Sequence, residues 1–183
     1  MTQVFVSRGQ SIAILITDSI TQALLRYCGE AARNETGGIL IGHYTPLGDQ
    51  AVITQVSGPP RDSESGRSWF VRGIHGLQLL INRAWGRHEY YLGEWHFHPY
   101  ASPAPSDRDK RQILVFAREP GYRCPEPILI VVGGDPAAGG DLSVSVVLNG
   151  KVQPLYAWAP SAPKASPNDA TPQTIALGAT RAP

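Results

Sequence analysis

The run Tyr90-Tyr91-Leu92-Gly93-Glu94-Trp95-His96-Phe97-His98-Pro99 constrains this chain more than any other stretch. It is apolar and β-prone, and it ends in two histidines one residue apart. Successive side chains of a strand point to opposite faces. A strand here therefore presents His96 and His98 on one side and packs Phe97 on the other. Pro99 has no backbone donor and closes the strand. A polar, proline-containing loop follows, and Ser106-Asp107-Arg108-Asp109 then opens a helical pattern through Ile113, Leu114 and Phe116. Taken singly, both pieces are ordinary. His-x-His suits any wet strand face, and Ser106-x-x-Asp109 is the signature of a helix capping box. Together they bring two imidazoles and a carboxylate to the end of one strand and the start of the next helix. Such a set leaves a vertex for water and is the donor chemistry of a catalytic zinc ion.

His96-Phe97-His98-Pro99, six residues, Ser106, two residues and Asp109 resembles the His-x-His-Pro-(x)6-Ser-x-x-Asp signature of the JAMM (JAB1/MPN/Mov34) metalloproteases. Glu35-Thr36-Gly37-Gly38-Ile39-Leu40-Ile41-Gly42 is similar to the upstream glutamate segment of that family. Phe97 departs from the Ser or Thr most often found there, at a position that is not a ligand. The resemblance implies one Zn2+ per chain held by His96, His98 and Asp109, with Glu35 as general base and Ser106 as hydrogen-bond donor to the developing oxyanion. Glu94 shares the strand face of His96 and is the rival acid, but it lacks the Glu-x-Gly-Gly context. The implied fold is MPN-like (cytidine-deaminase-like), a mixed β-sheet flanked by helices. Pattern reasoning alone gives the α/β or α+β class.

The implied activity is that of a zinc-dependent isopeptidase or peptidase. It would hydrolyse the amide after the C-terminal residue of a ubiquitin-like modifier, or of another conjugated protein with an extended C-terminal tail. Short prokaryotic members are associated with bacterial conjugation systems, antiphage systems among them, so E1/E2-like conjugation proteins are expected partners. Two alternatives stay open: a JAMM peptidase that processes a sulfur-carrier protein or a small amino-acid adduct, and a non-catalytic MPN scaffold.

Around this centre, strand material is expected at 4–6 and 12–14, a helix from Thr17 to about Ala32, and a hairpin from 39–44 to 52–56. The polar 58–67 segment reads as a loop, 69–71 as a short strand, and 73–87 as a helix; the family resemblance implies that this loop borders the cleft, and a plain surface connection is the alternative. After the helix at 106–119 come strands at 128–132, 142–148 and 152–158. Trp85 and Trp95 are expected to anchor packing. Lys+Arg 16 against Asp+Glu 15 leaves no basic footprint for nucleic acid, and no apolar run is long enough for a bilayer. A soluble cytoplasmic protein is expected, with Cys28 and Cys124 as reduced thiols. Residues 1–158 read as the metalloprotease domain. The Ala/Pro-rich 159–183 reads as a disordered tail.

Overall fold

The structure, a computed structural model, describes residues 1–9 and 11–159. Strands β1 (Thr2–Val6) and β2 (Ala13–Thr17) lead into helix α1 (Asp18–Ala31), where the Thr17 hydroxyl accepts the Ile20 amide and caps the first turn. Ile20, Leu24 and Cys28 recur four apart, so one stripe of α1 is buried. The chain continues through β3 (Thr36–Tyr44), β4 (Gln50–Val56), β5 (Glu64–Gly66), β6 (Trp69–Val71), α2 (Leu77–Trp85), β7 (Tyr90–Pro99) and α3 (Asp107–Arg118). It ends with β8 (Ile128–Gly134), β9 (Asp141–Leu148) and β10 (Lys151–Ala157).

Eight strands run in the order β1-β10-β9-β8-β7-β3-β4-β2, and β1 also pairs with β2, so the mixed sheet closes on itself. Pairing is antiparallel except for β2 with β4 and β7 with β8. Alternation sorts the core. Leu40, Trp95, Phe97, Ile130 and Val132 turn toward α1. Ile39, Ile41 and Tyr91 turn outward under α2, while Leu129 and Val131 meet Ile113 of α3. The class is the expected mixed α/β one, and closure leaves no open edge in the eight-stranded sheet.

Several expectations need correction. The 58–67 segment is not wholly loop, because Glu64–Gly66 forms β5 and pairs with β6 in a separate two-stranded ribbon. Three polar residues carry no apolar alternation, so nothing in the sequence marked that strand. Helix α2 begins at Leu77, after Gly76 in the left-handed region at φ 79°, and Ile74 is left exposed in the turn before it. Trp95 is fully buried as expected, but Trp85 is 56% exposed and stands edge-to-face with Tyr90. Cys28 and Cys124 are buried free thiols. The expected tail lies, from residue 160 on, outside the described residues. Among the described residues no helix is long and apolar enough to cross a membrane.

Candidate active site

Strands β7 and β8 run parallel and end side by side, with His98 opposite Gly133 and Pro99 opposite Gly134. Carboxyl ends of neighbouring parallel strands leave a crevice that ligands commonly occupy. Here the crevice is shaped by residues 100–105. Tyr100 donates its amide to the Gly134 carbonyl at 2.9 Å, Gly134 donates to Ala101 at 2.8 Å, and the Ser143 hydroxyl donates to the Pro103 carbonyl at 2.6 Å. A Cβ on Gly133 would meet the backbone of Ala101, Ser102 and Pro103, so only glycine lets this loop lie down. The loop delivers Ser106 to the start of α3.

Ser106 and Asp109 form a complete capping box. The Ser106 amide and hydroxyl donate to Asp109 Oδ2 at 2.8 and 2.7 Å, and the Asp109 amide donates to Ser106 Oγ at 3.2 Å. The same carboxylate faces the two histidines: His96 Nδ1 lies 2.9 Å from Oδ1 and His98 Nε2 lies 3.2 Å from Oδ2. His98 Nδ1 is 3.3 Å from the Ser102 carbonyl. Burial opposes the charge on Asp109, yet hydrogen bonds from His96, His98 and Ser106 hold its carboxyl well below the usual range. The reciprocal bond to Asp109 raises His98.

Glu35 precedes β3, and its amide donates to the Gly66 carbonyl of β5 at 2.8 Å. It lines a cleft of about 420 Å³ together with His98, Ser106, Arg108 and Asp109. Burial raises the Glu35 carboxyl, and Asp109 adds to this, while His98, His96 and Arg108 pull against it. A carboxyl moved toward neutrality is better matched to accepting and returning a proton. The first of the paired glycines has a defined use: a Cβ on Gly37 would clash with the Trp95 carbonyl of β7 and would lie 2.9 Å from Phe70 Cε1 and 3.2 Å from His96 Cδ2. Gly37 thus lets the β6 ribbon approach the strand that carries the histidines.

Glu94 does not join this group. Its carboxylate is fully buried and accepts from Arg72 Nε at 2.7 Å and from the Tyr91 hydroxyl at 2.7 Å. Sequence reasoning passed over Phe70, whose ring stands edge-on to His96 with centroids 5.8 Å apart, and Arg67 and Arg108, which line the cleft. None of these carries a spacing signal. A larger cavity of about 920 Å³, lined by Tyr44, Trp85, Tyr90 and Tyr122, lies at the opposite end of β7 and contains none of Glu35, His96, His98, Ser106 and Asp109.

Among the described residues, no three His, Cys, Asp or Glu side chains are already splayed to enclose a cation. The donors at the cleft nevertheless suit one by chemistry. Two imidazoles each lie within hydrogen-bond reach of one ionised carboxylate, and this is a donor set that divalent transition ions select. His96, His98 and Asp109 are the residues that would hold it.

Residues 17–146 match the family described as prokaryotic homologs of the JAB domain. The chain belongs to that family. It is 44% identical over 142 residues to a CD-NTase/cGAS isopeptidase of Enterobacter hormaechei subsp. hoffmannii, covering 78% of this chain and 79% of that protein. It is 32% identical over 127 residues to the probable metalloprotease y4qB of Sinorhizobium fredii, covering 67% and 77%. A solution structure of a protein from Desulfitobacterium hafniense superposes with a TM-score of 0.58 at 17% identity, over 75% of this chain and 86% of that one, and shares the fold.

Proposed function

We propose that this protein is a zinc-dependent isopeptidase that releases a protein from its covalent conjugates. The observation that carries the reading is the convergence on one cleft of Glu35, from the start of β3, with His98, Ser106 and Asp109, from the end of β7 and the start of α3. The relative named CD-NTase/cGAS isopeptidase supports a nucleotidyltransferase of that kind as the conjugated protein, and a bacterial conjugation system as the setting. The form of the cleft supports an extended substrate. Hollows of about 310 and 340 Å³ adjoin it, one sharing Glu35 and Phe70 with it, the other sharing Phe70 and Arg108.

Zinc held by His96, His98 and Asp109 would act as a Lewis acid, polarising the scissile carbonyl and making water a better nucleophile at neutral pH. Glu35 takes the proton from the attacking water and returns it to the departing amine, which its raised pKa favours. The Ser106 hydroxyl has one proton, and it is donated to Asp109 Oδ2. To donate to an oxyanion, that hydroxyl must turn into the cleft. The cut separates an amide into carboxylate and amine without an acyl-enzyme.

The test is incubation of the full chain with a CD-NTase joined through its C-terminal carboxyl to a lysine of a carrier protein. Cleavage is expected, with loss on chelation and recovery with added zinc. Glu35→Gln is expected to cut turnover by about 10²-fold or more while zinc content stays at the wild-type level. An intact conjugate under every metal condition overturns the reading, and processing of a sulfur-carrier adduct instead would select the alternative peptidase.

A further inference from the structure

We propose that the buried Arg72–Glu94 pair is a positioning lock: it clamps the β5–β6 ribbon onto β7, and the ribbon sets the placement of Glu35 and His96. For its consequence on turnover the proposal rests on the isopeptidase reading; its structural content does not.

Residues 62–75 form a flap tied off at its base. The Asp62 carboxylate accepts the amides of Ile74 and His75 at 3.0 and 2.9 Å, and Ser63 Oγ accepts the Gly73 amide at 3.0 Å. The flap reaches the catalytic group at two points. The Gly66 carbonyl accepts the Glu35 amide, and the Phe70 ring packs edge-on against His96. Apolar contact holds it only weakly, because Phe70 is buried while its neighbours Trp69 and Val71 are 38% and 45% exposed.

Arg72 supplies the missing anchor. Its side chain is 2% exposed, as is that of Glu94. Nε donates to Glu94 Oε2 at 2.7 Å, Nη2 to the Tyr122 hydroxyl at 2.7 Å and Nη1 to the Gly73 carbonyl at 2.9 Å. The second Glu94 oxygen accepts from Tyr91. That contact depends on a register shift between Leu40 and Ile41, opposite Gly93 and Tyr91, which brings residues three apart onto one side of β7. The pair thus joins the end of the flap to the strand that carries both histidines, two residues before His96.

Removing water from two charges is costly, and a buried ion pair often adds no stability over apolar residues of the same volume. Its contribution here is a single allowed geometry. Replacing both partners by apolar residues therefore separates positioning from folding. In Arg72→Met/Glu94→Leu, cooperative unfolding is expected to persist. Hydrogen exchange of the Glu35 amide is expected to accelerate about tenfold, while amides of the β3–β7 ladder keep their protection. On the conjugate, kcat is expected to fall about tenfold with KM changed less than about twofold. Arg72→Lys with Glu94 retained is expected to recover most of the Glu35 protection. A folded double variant whose Glu35 amide exchanges at the wild-type rate overturns the proposal. If the double variant does not fold, Tyr122→Phe, which deletes one bond to Arg72, is measured in the same way. A smaller acceleration at Glu35 supports the lock, and none rejects it. If the wild-type protein cleaves no conjugate, the isopeptidase reading fails while the exchange experiment still decides this one.

Discussion

His98 and Asp109 shift each other's proton affinity in opposite directions, and that fixes how this site responds to pH. Asp109 is held low, so its carboxylate is charged throughout the physiological range. His98 is raised, so more of it carries a proton at a given pH than an ordinary histidine does. An imidazolium has no lone pair to give a metal, and under the proposed ligation zinc would have to displace that proton. Zinc affinity of the metal-free protein is therefore expected to fall by up to about tenfold per pH unit below the His98 pKa and to level off above it. Calorimetric titrations at several pH values, in buffers of different ionisation heat, check both the slope and the proton release. An affinity independent of pH would remove His98 from the ligand set. At this scale the sequence was informative about identity. His96, His98, Ser106 and Asp109 sit in one short stretch, where strand alternation and the capping period both act locally. The position of Glu35 beside them was implied only by resemblance, since it lies 61 positions before His96.

At the scale of the element, the start of α3 serves two purposes. The capping box that satisfies the first turn also aims Asp109 at the histidines, so helix stability and site geometry share the same hydrogen bonds. Ser106→Ala removes the cap and one donor to Asp109. It is expected to cost about 1 kcal/mol, read as a lower urea midpoint, together with weaker zinc binding. Ser106→Thr keeps an oxygen at the cap and is expected to retain most of the stability. Equal urea midpoints for the alanine variant and wild type would show that Asp109 holds the turn unaided. The cap was readable because its residues lie three apart. The β5–β6 ribbon was only half readable. Its apolar strand at 69–71 is expected from the sequence and forms β6, but β5 is too short and too polar to show a period, and the anchor, Arg72, finds Glu94 on a strand that lies beyond the whole of α2.

At the scale of the whole molecule, Trp95 joins three parts of the barrel. Its ring stacks on Tyr27 of α1 with centroids 5.9 Å apart, and its indole N–H donates to the Ser57 carbonyl after β4 at 2.8 Å. It alternates with Glu94 and His96, so the inner face of the strand builds the core while the outer face builds the site. Trp95→Ala is expected to cost about 3–5 kcal/mol in urea unfolding. It is also expected to remove most of the fluorescence change on unfolding, because Trp69, Trp85 and Trp158 are all more than a third exposed. A variant that kept both its stability and its fluorescence transition would show that the core does not depend on this residue.

Local spacing was enough to give most of the elements, the strand face shared by His96 and His98, and the cap that opens α3. Those features depend on spacings of two to four residues, which the backbone converts directly into direction. That β1 closes the sheet, that Glu35 reaches the cleft, and that Glu94 meets Arg72 instead of the candidate site came from packing alone. Each of these depends on chain segments meeting across long stretches of sequence. Whether a carboxylate ends beside an imidazole or beside a guanidinium is settled there by which surfaces pack together.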